Sequence, residues 1–189
     1  EAAAARSPTR PPPAQRTNGT AVAALLDGLP LANHPMLQGR VEIDDPDGWS
    51  ESYPAAERIH GTAMASLIAL GDLGIAEAPL ARPIYARPIM RPAGPTGQRV
   101  ERTPDDRLLI DLVHVAVRRM YEATAGRPAS APNVRVINLS VGDPDRAFGG
   151  ELSPWARLLD WLQHKYNVLF VVSAGNRDHG ELLLETAAG

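Results

Sequence analysis

Three short segments of this chain place polar side chains where they could do covalent chemistry. Asp27 directly follows an apolar run, residues 21–26 (AVAALL), so its carboxylate has restricted access to water and a set position. That suits an acid whose work is to hold an imidazole in one tautomer and to stabilise its protonated form. His60 precedes Gly61 and Thr62 at the opening of a helix-like stretch. A histidine can act as a general base near neutral pH because its unperturbed pKa is about 6.5. Gly61 allows another backbone to come close, and Thr62 can satisfy an orphan amide in a first helical turn. Ser173, Ala174, Gly175 and Asn176 follow a second apolar run. The small residues leave room for a substrate backbone, and the Asn176 side-chain amide can donate to a developing oxyanion. Each segment also has a plainer reading. Asp27-Gly28 can be a turn that ends a strand, His60 a surface histidine at a helix start, and Gly175-Asn176 a turn. His34, His114, His164 and His179 lack a comparable setting, and His114 and His164 fall inside expected helices.

The elements that must position these residues follow from periodicity. Residues 21–26, 134–140 (VRVINLS) and 168–173 (VLFVVS) read as buried strands. Residues 61–70 read as a helix with Met64, Leu67 and Ile68 on one face and Gly71 as its stop. Residues 108–122 form a second helix, with Leu109, Leu112, Val113, Ala116 and Met120 at core spacing. Ser153 then Pro154 predicts the start of a third, carrying an apolar stripe of Trp155, Leu158, Leu159 and Leu162. Between the first two helices lies a proline-rich stretch, residues 79–104, that has the character of an insertion. Residues 84–90 within it can form a strand, which Pro88 assigns to an edge or an irregular position.

Strand, helix, strand, helix, strand implies an α/β fold: a parallel sheet with helices on both faces. Ligands in such sheets sit beyond the carboxyl ends of the strands. Topology alone therefore selects Asp27, Val141-Gly142 and Gly175-Asn176. Residues 1–18, with Pro11-Pro12-Pro13 and few large apolar side chains, are expected to be a flexible arm, and residues 19–189 the folded part.

Composition narrows the function. The net charge is −3 and the 19 Lys and Arg are scattered, which argues against a nucleic-acid partner. There is no cysteine, so a disulfide scaffold, a thiolate metal site and a cysteine nucleophile are excluded. No apolar run reaches the roughly 18–20 residues of a membrane span. No glycine-rich Walker or Rossmann fingerprint supports a nucleotide-binding reading.

Taken together, Asp27 after AVAALL, His60-Gly61-Thr62-Ala63-Met64-Ala65-Ser66, Ile137-Asn138-Leu139-Ser140-Val141-Gly142 and Ser173-Ala174-Gly175-Asn176 resemble the subtilases, the S8-type serine peptidases. The order of acid then base is that of subtilisin, not of chymotrypsin or the α/β-hydrolases. Asn33-His34-Pro35, Leu37 and Gly39 are also similar to the family. The resemblance implies that Asp27 orients the imidazole, His60 is the general base and Asn176 helps to form the oxyanion hole. It implies that Ser140, Val141 and Gly142 pair with an extended peptide or protein substrate, with Ala174 and Gly175 bordering the pocket before the scissile bond. No cofactor and no metal are expected, and the short Gly71-Asp72-Leu73-Gly74 is expected to lack the calcium loop of many subtilisins.

Two departures stand out. The family usually has Thr or Ser and then Gly after the acid, where this chain has Gly28-Leu29-Pro30; Asp44, Asp45 and Asp47 are the alternative acids. No Gly-Thr-Ser segment follows Asn176, and Ser140 and Ser173 belong to other motifs. The nucleophile is therefore expected beyond this chain, which alone is expected to be inactive. The rest of the domain, or a partner chain, is expected to cover the sheet. The alternative is a pseudo-protease that keeps the fold for binding.

Overall fold

Alternation along the first strand sets the architecture. In β1 (Ala23–Asp27), Ala24 and Leu26 enter one hydrophobic cluster while Ala23 and Leu25 enter another on the opposite face. A strand buried on both faces belongs inside a helix-covered parallel sheet. The computed structural model describes residues 17–74, 78–95, 99–124, 126–141 and 152–173. It contains a sheet of five parallel strands in the order β2-β3-β1-β6-β7 and a separate antiparallel hairpin, β4–β5. The strands are β2 (Val41–Ile43), β3 (Ile84–Pro88), β4 (Arg91–Ala93), β5 (Val100–Arg102), β6 (Val136–Leu139) and β7 (Leu169–Val172).

Helix α1 (Ile59–Leu70) covers one face, with α2 (Leu109–Tyr121) and α3 (Pro154–Tyr166) on the other. This is the doubly covered α/β arrangement expected from the sequence. Helix α2 buries Leu112, Val113, Ala116, Val117 and Met120 as its periodicity requires. Ser153 caps α3 by accepting from the Ala156 amide at 3.2 Å, with Pro154 in the first turn. At the start of the described chain, Thr17 Oγ1 donates to the Gly39 carbonyl and the Asn18 amide to the Ala81 carbonyl.

Two local expectations are corrected. In α1 the buried residues are Gly61, Ala65, Ala69 and Leu70. Leu67 is 54% exposed, and Met64 and Ile68 are only partly buried. The small side chains at i, i+4 and i+8 form the stripe that faces the sheet, so the helix lies close to it and Leu67 turns to solvent.

The second correction concerns β3, which is an interior strand between β2 and β1 despite Pro88. The Ile84 amide and the Ala86 carbonyl both bond towards β2. Position 88 has the same orientation, and β2 has already ended at Ile43, level with Ala86. The missing N–H therefore costs the ladder nothing.

Among the described residues β7 closes the sheet as an edge, with Leu169, Val171 and Val172 exposed. No helix of the described residues is long and apolar enough to cross a membrane.

Candidate active site

The period of two that builds β1 also aims its last residue. Asp27 lies on the face of Leu25, the one covered by α1, at the carboxyl end of the strand. His60 is in the first turn of α1. The two meet with Nδ1 of His60 2.7 Å from Oδ1 of Asp27. Oδ1 also accepts from the Gly28 amide at 2.6 Å, while Oδ2 is buried with no hydrogen-bond partner among the described residues.

Asp27 is fully buried, whereas the His60 side chain is 43% exposed. Burial raises the Asp27 carboxyl above the usual carboxylate range, and the His60 and Gly28 hydrogen bonds oppose this only in part. A carboxylate at this distance fixes the proton on Nδ1 and leaves Nε2 as the unprotonated nitrogen. The pair can thus accept a proton from a third group and hold the resulting imidazolium.

The helix is pressed onto the loop after β1 by Gly61. A Cβ at position 61 would overlap the Gly28 carbonyl oxygen and come within 2.5 Å of its carbon. Gly61→Ala is accordingly expected to destabilise the protein by about 1–3 kcal/mol through backbone overpacking. A chemical denaturation midpoint unchanged by that substitution would contradict the close approach.

Thr62 does not bond an amide of its own first turn. Its hydroxyl accepts from the Leu31 amide at 3.0 Å and donates to the Arg58 carbonyl, tying the helix to the segment after Asp27. The first-turn amides of His60 and Gly61 instead reach Glu101, at 2.5 Å and 3.4 Å, and Tyr53 donates its hydroxyl to the same carboxylate. Burial, then the Glu101 hydrogen bond, pushes the Tyr53 hydroxyl far up, so it stays a donor. Sequence reasoning missed Glu101 and Tyr53. The one signal that could have found them is Gly28, whose lack of a side chain leaves the space they occupy.

The alternative acids are engaged elsewhere. Asp44 pairs with Arg119 at 2.7 Å and accepts from Tyr85, which holds its carboxyl below the usual range. Asp45 accepts from the Trp49 and Ser50 amides, and Asp47 pairs with Arg107 and Arg87.

Ser140 and Val141 follow β6, which neighbours β1, at the same carboxyl edge of the sheet; Ser140 donates to the Asn138 side-chain oxygen at 2.8 Å. Ser173 follows β7 and donates its amide to the Leu139 carbonyl. Gly142, Ala174, Gly175 and Asn176 lie outside the described residues, as does His179. His114 packs edge-on against Trp161 on the far side of the sheet. Among the described residues no group of three or more His, Asp or Glu side chains could hold a metal ion.

Comparison with known proteins gives one match across nearly the whole chain: the family model described as the subtilase family aligns with residues 17–188. A curated relative, the uncharacterized protein y4bN of Sinorhizobium fredii (strain NBRC 101917 / NGR234), is 48% identical over 44 residues. That stretch is 23% of this chain and 10% of the relative, so the match spans a small part of that protein's length. No solved structure matches the chain.

Proposed function

Because this chain belongs to the subtilase family, we propose that it supplies the acid, the base and the oxyanion donor of a serine endopeptidase that acts by acyl transfer. The observation that carries the reading is the 2.7 Å contact between a buried aspartate and a half-exposed histidine at the carboxyl edge of a parallel sheet. A serine hydroxyl, from a segment outside these 189 residues, attacks the peptide carbonyl. His60 Nε2 takes the hydroxyl proton and then delivers it to the leaving amine. Asp27 keeps the imidazole in the required tautomer and stabilises its cation. Asn176 donates to the oxyanion of the tetrahedral intermediate, where one such donor is worth roughly 10²–10³ in rate. Ser140, Val141 and Gly142 pair with the substrate as an added strand, beside Ala174 and Gly175.

The test is to treat the full-length protein with a serine-directed fluorophosphonate and to follow hydrolysis of an unstructured protein substrate. Labelling of a serine together with hydrolysis supports the reading. A folded protein that does neither refutes it and leaves the fold as a binding module. Asn176→Ala is expected to reduce kcat by about 10²–10³ while KM changes little, measured on the same substrate. A rise in KM at constant kcat would instead place Asn176 in ground-state binding.

A further inference from the structure

Helix α1 begins without a side-chain cap of its own, since its N-cap residue is Arg58 and makes no capping bond. The first amides of any helix lack intrahelical partners, and the positive end of the helix dipole favours a negative group there. Both needs are met from outside the helix. Glu101, the middle residue of β5, is half-buried and accepts from the amides of His60 and Gly61 through its two oxygens. The buried Tyr53 donates its hydroxyl to the oxygen that faces Gly61.

The hairpin that carries Glu101 is itself fixed beside the acid. It leaves the end of β3, where the amides of Ile89 and Met90 both donate to the Asp27 carbonyl at 2.7 Å and 3.2 Å. Arg99 pairs with Glu57 at 3.3 Å just before α1, and Arg91 lies over the Trp49 ring. The residue after the acid completes the fit. A Cβ on Gly28 would overlap Glu101 Oε1 and stand 2.7 Å from the Tyr53 hydroxyl.

We propose that the β4–β5 hairpin is a clamp on the general base, and that Glu101 is a positioning residue acting through the backbone of His60. This rests on the peptidase reading for its kinetic consequence. The acid holds the imidazole at Nδ1, while Glu101 holds the same residue at its main-chain nitrogen. Together they leave the ring little freedom to tilt away from a nucleophile. A displacement of about 1 Å at such a group can lower the rate on the order of 10²-fold. Gly28 follows from the same arrangement, because any side chain there would expel the carboxylate.

The test uses the full-length protein. Glu101→Ala is expected to lower kcat about 10²-fold with KM within about twofold of the parent. Glu101→Gln, which keeps the size and one acceptor, should recover to within about tenfold. Gly28→Ala alone should resemble Glu101→Ala, yet add less than about threefold when Glu101 is already alanine, the non-additivity of two changes to one contact. Should Glu101→Ala fail to fold, Glu101→Asp decides, because it keeps the charge but retracts the oxygens by one methylene. A folded Asp variant with kcat reduced about tenfold or more supports the clamp, and one with parental kcat overturns it. Parental kcat in a folded Ala variant, or fully additive losses with Gly28→Ala, overturns it as well.

A readout independent of turnover separates this proposal from the peptidase reading. The low-field proton resonance of His60 Nδ1–H should be present in the parent and in Glu101→Gln and lost in folded Glu101→Ala. If the parent shows no hydrolysis, the peptidase reading fails, and this resonance alone decides the clamp: its persistence in Glu101→Ala overturns it.

Discussion

Replacing His60 with alanine in the full-length protein is expected to lower kcat by about 10⁴–10⁶-fold. On the proposed mechanism the serine hydroxyl would then have no neighbour to take its proton, and the leaving amine none to supply one. KM should stay within a few-fold, because the imidazole acts on the reacting atoms and contributes little to ground-state binding. What should survive on the same mechanism is the background from the oxyanion donor and from substrate alignment. The ring is 43% exposed and hydrogen-bonds the Asp27 carboxylate, so the fold should persist, as circular dichroism can verify. Labelling by a fluorophosphonate should slow in parallel with turnover. Activity within tenfold of the parent would remove His60 from the mechanism.

Asp27→Asn should separate catalysis from stability in a way that a structural aspartate would not. The asparagine oxygen can still accept from the Gly28 amide, but its NH2 group would donate to Nδ1 and force the imidazole proton onto Nε2. That is the tautomer unable to act as a base, and a loss of about 10⁴ in kcat follows. Stability should move the other way. Burial raises the Asp27 carboxyl above its ordinary value of 3.8, more than the His60 and Gly28 hydrogen bonds lower it. The folded state therefore holds this proton more tightly than the unfolded chain does. As pH rises from the unfolded pKa through the folded one, the unfolded state ionises first and stability falls. Above that window the buried charge opposes folding. Asp27→Asn is thus expected to have a thermal unfolding midpoint at pH 7 equal to or above that of the parent. The gap should close as pH drops through the window. A variant that unfolds well below the parent at pH 7 would contradict this account, and so would kcat within a hundredfold of the parent. Such opposition of stability and function is common where a charge is kept buried for chemistry.

Much of the fold was legible because it depends on local pattern. The AVAALL run ending in Asp27, the core spacing in residues 108–122 and the Ser153-Pro154 start each specify an element within a few residues of chain. The carboxyl-edge rule then selects Asp27, Val141-Gly142 and Gly175-Asn176, of which Asp27 and Val141 lie among the described residues. The misreadings in α1 and β3 have a shared cause. Which face of an apolar helix turns inward, and whether a proline interrupts a ladder, depend on the neighbouring element and its length.

By itself, then, the sequence determined the α/β class, the strand that ends in Asp27 and the helix that starts near His60, because burial and periodicity are properties of short segments. Only the tertiary structure decided that Asp27, and not Asp44, Asp45 or Asp47, meets His60, since those acids are taken by Arg119, Arg87, Arg107 and nearby backbone amides. Only the tertiary structure brought Glu101 to His60. Forty-one residues separate Glu101 from His60, and no periodicity spans that distance. The orphan amides of a helix start must find an acceptor, but the chain does not state locally which loop will provide it. In this protein the provider is a proline-rich hairpin, and Gly28 beside the acid is the one residue in the local sequence that reflects its presence.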